Sequence, residues 1–154
     1  MVRMADLPKI EQKMLLGFKA PTFDSRPWAV GPPLNHRRVA IITTAGLHKR
    51  TDRPFQMGQP DFYRIIPDNT KANEIVMSHG AASFDRSGFQ QDLNVVFPLE
   101  RLHELADEGV IGSVADYHYS FGTPLTQEES EMAANELSGL FKKDQVNAVL
   151  LFPV

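Results

Sequence analysis

The sequence predicts an α/β domain: a mostly parallel, Rossmann-like sheet with helices packed on it, preceded by a proline-rich arm. Three observations carry that expectation. Short β-branched apolar runs, Val39 to Thr44 and Val146 to Phe152 foremost, are apolar at successive positions, as strands buried on both faces require. Between them lie two segments with the 3.6-residue spacing of amphipathic helices. Strands alternating with helices in this way favour a helix-covered sheet over an all-β or all-α packing.

Taken in order, residues 8–16 predict a short helix, with Pro8 tolerated in its first turn and Gly17 ending it. Residues 18–37 hold Pro21, Pro27, Pro32 and Pro33, which forbid long regular structure. They predict an extended arm anchored by Phe18, Phe23 and Trp28, so that 1–37 is helix plus arm and 38–154 the α/β domain. Val39 to Thr44 is the first strand, followed by a polar segment broken at Pro54 and Gly58. Phe62 to Ile66 and Glu74 to Ser78 are further strands, with Asp68-Asn69-Thr70 as the turn between them. A loop of small and polar residues follows His79. Pro98 then opens a helix to Glu108 whose stripe is Leu99, Leu102, Leu105 and Ala106, closed by Gly109. Val110 to Val114 reads as a short strand or extended turn. Thr126 and Glu129 form a capping box, each satisfying a free amide of the other's turn. The helix it starts runs to about Lys143 and buries Met132, Leu137, Leu140 and Phe141, before the return strand at 146–152.

At 154 residues the chain can bury roughly 70% of its unfolded surface in one core. Its 42% hydrophobic and 23% charged residues are ordinary for a globular domain. A net charge of -3 leaves no basic footprint for nucleic acid. No apolar run approaches the roughly 20 residues of a membrane span, and the N-terminus has no apolar leader core, so a cytoplasmic protein is expected. There is no cysteine, which excludes a disulfide, a thiolate metal site or a cysteine nucleophile within these residues.

The chemistry centres on histidine. His48, His79 and His118 each stand at a short apolar run, where strand-end loops of an α/β sheet form a ligand crevice. His48 follows Thr44, Ala45, Gly46 and Leu47; Gly46 permits close backbone approach, and Lys49, Arg50 and Arg53 add positive charge for an anionic substrate. Neither a GxGxxG nor a GxxxxGK[ST] pattern is present to read as a nucleotide site. His79 sits between Ser78 and Gly80, with Asp85 placed to fix its tautomer. The same residues with His118 could ligate a divalent metal, although the spacing matches no tight metal signature. Tyr117 and Tyr119 flank His118 and could bracket a flat or cationic ligand. His48, His79, Asp85 and His118 are therefore the expected catalytic residues, with Thr44, Gly46, Ser78 and Tyr119 on the substrate. His36 and His103 are set aside. For each histidine the competing reading is a satisfied structural or surface residue.

Five blocks occur in order: Thr-Thr-Ala-Gly-Leu-His (43–48), Met-Ser-His-Gly (77–80), Asp-Leu-Asn-Val-Val-Phe-Pro-Leu-Glu-Arg-Leu (92–102), Glu-Gly-Val-Ile-Gly (108–112) and His-Tyr-Ser-Phe-Gly (118–122). Together, from about Val39 to Val154, they resemble the B-subunit family of glycine, sarcosine, betaine and D-proline reductases, the selenoprotein B family. That resemblance implies dithiol-dependent reductive cleavage of a C–N bond by a selenocysteine or cysteine. It also implies a small amine or amino-acid-like substrate, and partner subunits carrying a pyruvoyl group; a homo-oligomer is the other assembly considered. A low-pKa selenol or thiol would be the nucleophile, one histidine the general acid to the departing amine, and Asp85 its orienter.

The sequence departs from the family pattern at one point. The redox residue is expected just beyond a strand like that ending at Phe152-Pro153-Val154, and these residues hold neither selenocysteine nor cysteine. The expectation is that the 154-residue product alone is inactive and that the frame continues through an in-frame UGA. Its rivals are a small-ligand or metal-binding module using His48, His79 and His118, and a non-catalytic subunit whose arm docks on another chain.

Overall fold

The computed structural model describes residues 3–17, 24, 29–56, 62–79 and 86–154. Phe18, Phe23, Trp28 and Asp85 lie outside them, as does half of the expected arm. The chain divides into two compact units, Met1–Val30 and Gly31–Val154. In the first, a single 3-10 turn at Met4–Asp6 precedes helix α1, Lys9–Gly17, and the Gln12 amide side chain donates to the Leu7 carbonyl. Pro8 stands just before α1, where its missing N–H costs no hydrogen bond.

The second unit is a mixed α/β structure. Its strands are β1 (Arg38–Thr43), β2 (Leu47–Lys49), β3 (Tyr63–Pro67), β4 (Ile75–Met77), β5 (Ser113–Val114), β6 (Tyr117–Phe121) and β7 (Ala148–Phe152). Its helices are α2 (Ser87–Gln91), α3 (Leu99–Asp107) and α4 (Gln127–Lys143). β1 pairs in parallel with β5, β6 and β7, whereas β3 runs antiparallel to β6, and β2 and β4 form a separate antiparallel ladder. β1's pairings are parallel as expected, but β3 and the β2–β4 ladder are antiparallel, so the architecture is mixed where a mostly parallel, Rossmann-like sheet was expected. β3 returns along β6 from Pro67↔Tyr117 to Tyr63↔Phe121.

β7 takes one edge of β1 along Val39–Thr43, so β5 and β6 share the other. Their registers do not match. Val39 pairs with Val114 and Ile42 with Tyr119, so three steps along β1 face five along β5–β6. Two extra residues bulge out between β5 and β6, breaking the ladder there.

The two faces of β1 are packed differently. Val39 and Ile41 join Val96, Phe97, Leu99, Leu102 and Ile111 in the main core, which places α3 on that face. Thr43, on the same side, donates its hydroxyl to the Val96 carbonyl at 2.9 Å. The opposite face is covered by α4, where Ala133 and Leu137 are buried and Phe141 meets Tyr119 edge to face at 5.2 Å. α4 starts at the expected capping box: Glu129 N–H donates to Thr126 Oγ1, and Thr126 N–H to the Glu129 carboxylate. β7 departs from its expected burial. Ala148 and Leu150 pack on the core, but Leu151 is 67% exposed, because β7 has β1 on one edge and α4 leaves that part of its face open.

Candidate functional site

A cavity of about 940 Å³ opens beneath α4 at the carboxyl ends of β1, β6 and β7, lined by Ile42, Thr44, His79, Phe121, Leu137 and Val154 among others. This is the end of a parallel sheet where ligand crevices form. Thr44 shapes its floor: its N–H donates to the Phe152 carbonyl, and its hydroxyl accepts from the Val154 N–H at 2.8 Å. The main chain at Val154 is thereby held on the cavity wall.

Gly46 brings His79 there. Its φ of +68° belongs to the left-handed region, which glycine enters without strain, and a Cβ on it would stand 2.9 Å from the His79 nitrogen. Its N–H donates to the Phe121 carbonyl and its carbonyl accepts from Ser78 N–H, both at 2.8 Å. The β1–β2 turn is therefore tied to the end of β6 and to the residues after β4. The close backbone approach expected of Gly46 is present, and it comes with the positive φ.

His48 lies inside β2 and not in a strand-end loop; it is 2% exposed. Its Nδ1 is 2.8 Å from the Lys49 carbonyl and its Nε2 2.8 Å from Ser78 Oγ. Phe55 packs edge-on against the ring, and Arg64 stacks over Phe55. The side chain is held on three sides away from the cavity wall.

His118 also lies inside a strand, β6, and is fully buried. The bulge between β5 and β6 leaves the Ile41 N–H without a strand partner, and His118 Nδ1 accepts it at 3.0 Å. A ring nitrogen that accepts carries no proton, so Nε2 holds the hydrogen and points it at Asp68 Oδ1, 3.4 Å away. Burial holds the imidazole pKa below its ordinary value, with Asp68 pulling weakly the other way. Asp68 also accepts from His103 Nε2 at 2.8 Å. His118 therefore completes a broken sheet on the α3 face, away from the cavity.

Tyr119 points to the α4 face, between Tyr63 and Phe141, and lines a second cavity of about 320 Å³ with Arg38, Asp116 and Asp144. Burial pushes its phenol up to about 12. Asp144, at the end of α4, secures the outside of the bulge. Its carboxylate accepts from the N–H groups of Asp116 and Tyr117 and pairs with Arg38 at 2.5 Å.

Of the expected site residues, the structure brings Thr44 and His79 to one cavity, with Gly46 positioning His79. Ser78 and His48 form a pair beside it, while His118 and Tyr119 sit on opposite faces of β6. Of the three histidines expected to converge, His79 lines the larger cavity and His48 and His118 line neither cavity described. Asp85 and Gly80 fall outside the described residues. No cluster of three His, Asp or Glu side chains suited to a metal ion occurs among the described residues. Sequence reasoning missed Asp68, read only as a turn residue, and Asp144 with Arg38. Their roles arise from the bulge, which leaves no local signal. No helix among the described residues is long and apolar enough to cross a membrane.

Comparison with known proteins adds a family. The family model described as glycine/sarcosine/betaine reductase selenoprotein B matches residues 32–153. The chain is 32% identical over 120 residues to the D-proline reductase subunit gamma of Acetoanaerobium sticklandii, covering 77% of this chain and 49% of that protein. It is 37% identical over 123 residues to the betaine reductase complex component B subunit beta of Peptoclostridium acidaminophilum, covering 77% of this chain and 28% of that one. The sarcosine reductase complex component B subunit beta of the same organism is 31% identical over 121 residues, covering 74% of this chain and 27% of its own length. The chain thus spans half or less of the length of these relatives. No solved structure matches it.

Proposed function

We propose that this chain, which belongs to the glycine/sarcosine/betaine reductase selenoprotein B family, supplies the substrate-side scaffold of a dithiol-dependent reductase, with its redox residue in polypeptide following Val154. The observation that carries this reading is the position of Val154. Its backbone is held by Thr44 on the wall of the cavity that His79 also lines, so a residue added after it would start from that wall. A selenol or thiol there would supply the electrons for reductive C–N cleavage. This chain's own part is narrower. His79 holds a proton for the departing amine, Thr44 fixes the entry of the following segment, and the apolar wall from Ile42, Phe121 and Leu137 keeps water from the reacting group.

Asp85 keeps its proposed role as orienter of His79. A small amine or amino-acid-like substrate, a partner subunit bearing the pyruvoyl group and a cytoplasmic setting complete the reading. The relatives' names make them subunits or components of reductases, which supports a partner for this chain. The rival module built on three histidines is less favoured, because only His79 reaches the cavity.

Two measurements test the proposal. The 154-residue product should give no dithiol-dependent turnover of glycine, sarcosine, betaine or D-proline, since no residue in it is readily attacked, oxidised and regenerated by thiols. The nucleotides after the Val154 codon should read UGA in frame, followed by coding sequence with a nearby cysteine. A UAA or UAG codon without a downstream frame, or turnover by the product itself, overturns it.

A further inference from the structure

We infer that Ser78 is a nucleophilic hydroxyl activated by His48, an acyl-transfer centre beside the cavity and independent of the reductase reading. The geometry follows from the β2–β4 ladder. His48 is directly opposite Val76, so Ser78 stands two residues on, on the same face and within diagonal reach. The Ser78 N–H donates to the Gly46 carbonyl at 2.8 Å, which fixes its backbone.

In the neutral imidazole the Lys49 carbonyl fixes the hydrogen-bond directions. The Lys49 carbonyl, 2.8 Å from His48 Nδ1, can only accept, so Nδ1 carries the imidazole proton. Nε2 of the neutral ring is then a bare lone pair, and Ser78 Oγ at 2.8 Å donates its hydrogen to it. A hydroxyl donating to an imidazole whose second nitrogen is locked by an orienting acceptor is the arrangement that activates serine nucleophiles. His48 is packed against Phe55 and 2% exposed, so the ring holds this pose. Ser78 is half-buried and makes no other side-chain hydrogen bond among the described residues, so its oxygen lone pairs are not taken up by another donor.

The substrate class is a small activated acyl ester. Ser78 Oγ bonds to the carbonyl carbon, its proton passes to His48 Nε2, and the carbonyl–oxygen bond of the ester breaks as the leaving alkoxide takes that proton from Nε2, which returns His48 to its neutral form. Water then attacks the acyl-serine with His48 as base, releasing the carboxylic acid and restoring Ser78.

The test uses the full chain with p-nitrophenyl acetate and a fluorophosphonate probe. Peptide mapping should find the phosphonyl adduct on Ser78, and both the adduct and nitrophenol release should be lost in Ser78→Ala and His48→Gln. Because the chain has no cysteine, Ser78→Cys introduces a unique thiol. A thiol hydrogen-bonded to imidazole is largely thiolate at pH 7, where a free one is a few per cent ionised. Its iodoacetamide rate should therefore be at least about tenfold higher in the folded chain than in the same variant unfolded in urea, a comparison that needs no His48 substitution to fold. No adduct on Ser78, or equal rates folded and unfolded, overturns the inference.

Discussion

Replacing His118 with phenylalanine isolates what a buried imidazole does for a broken sheet. Phenylalanine keeps the ring volume and the edge-to-face contact with Phe97, 5.6 Å between centroids, so little of the loss is cavity formation. It removes the acceptor for the Ile41 N–H and the weak link to Asp68. An unsatisfied buried N–H costs about 1–3 kcal/mol, and a chain of this size loses about 2–4 °C of Tm per kcal/mol. His118→Phe should thus melt roughly 2–12 °C lower. The pH dependence gives a second readout. Burial lowers the folded pKa of His118 below the 6.5 of the unfolded chain. As pH falls through 6.5 the unfolded state takes up the proton first, so stability present above 6.5 is lost on acidification until the lowered folded value is passed. The slope contributed is at most about 1.4 kcal/mol per pH unit. Urea unfolding of both proteins from pH 7.5 to 5 measures the difference, in which the other histidines cancel. An unchanged midpoint, or an equally steep acid limb in the variant, would refute the structural assignment of His118.

Asp144→Ala should be the most damaging single change away from the core. It strips the acceptor from two bulge N–H groups and leaves the partly buried Arg38 with Asp116 as its one carboxylate partner among the described residues, beside the main-chain carbonyls of residues 114 and 144; a loss of about 3–5 kcal/mol is expected in urea unfolding. Thr126→Ala removes one half of the α4 capping box and should cost about 1 kcal/mol, read as a lower Tm with unchanged helix content at 20 °C. Gly46→Ala forces a side chain into φ +68° and against the His79 backbone. It should destabilise by more than about 1 kcal/mol and shift the His79 imidazole resonances, whereas native-like resonances would remove Gly46 from the account of the cavity.

Local chemistry made several elements legible. The stripe from Leu99 to Ala106 lies on α3, the Thr126–Glu129 box starts α4 where predicted, and the β-branched runs at 39–44 and 146–152 form directly paired parallel strands. These signals depend on residues within a few positions of one another, so the sequence alone determines them. Gly46 belongs with them, since its small size forecast the close approach. The family was legible as well, through blocks whose order survives along the chain.

Tertiary structure decided the rest. β2 was missed as a separate strand, and the run at His118 was read as ending at the histidine and not as a strand around it, because their pairing comes from distant partners, β4 and β3, and not from a periodic pattern. That pairing moved His48 and His118 from strand ends into strand interiors. Once there, the two-residue period of a strand sent His118 and Tyr119 to opposite faces, and the bulge created a backbone N–H that the His118 imidazole accepts. Which histidine meets the cavity was settled by register and by one close backbone contact at Gly46. Neither is written in any short stretch of residues, because each depends on how far two distant segments slide past each other before their hydrogen bonds close.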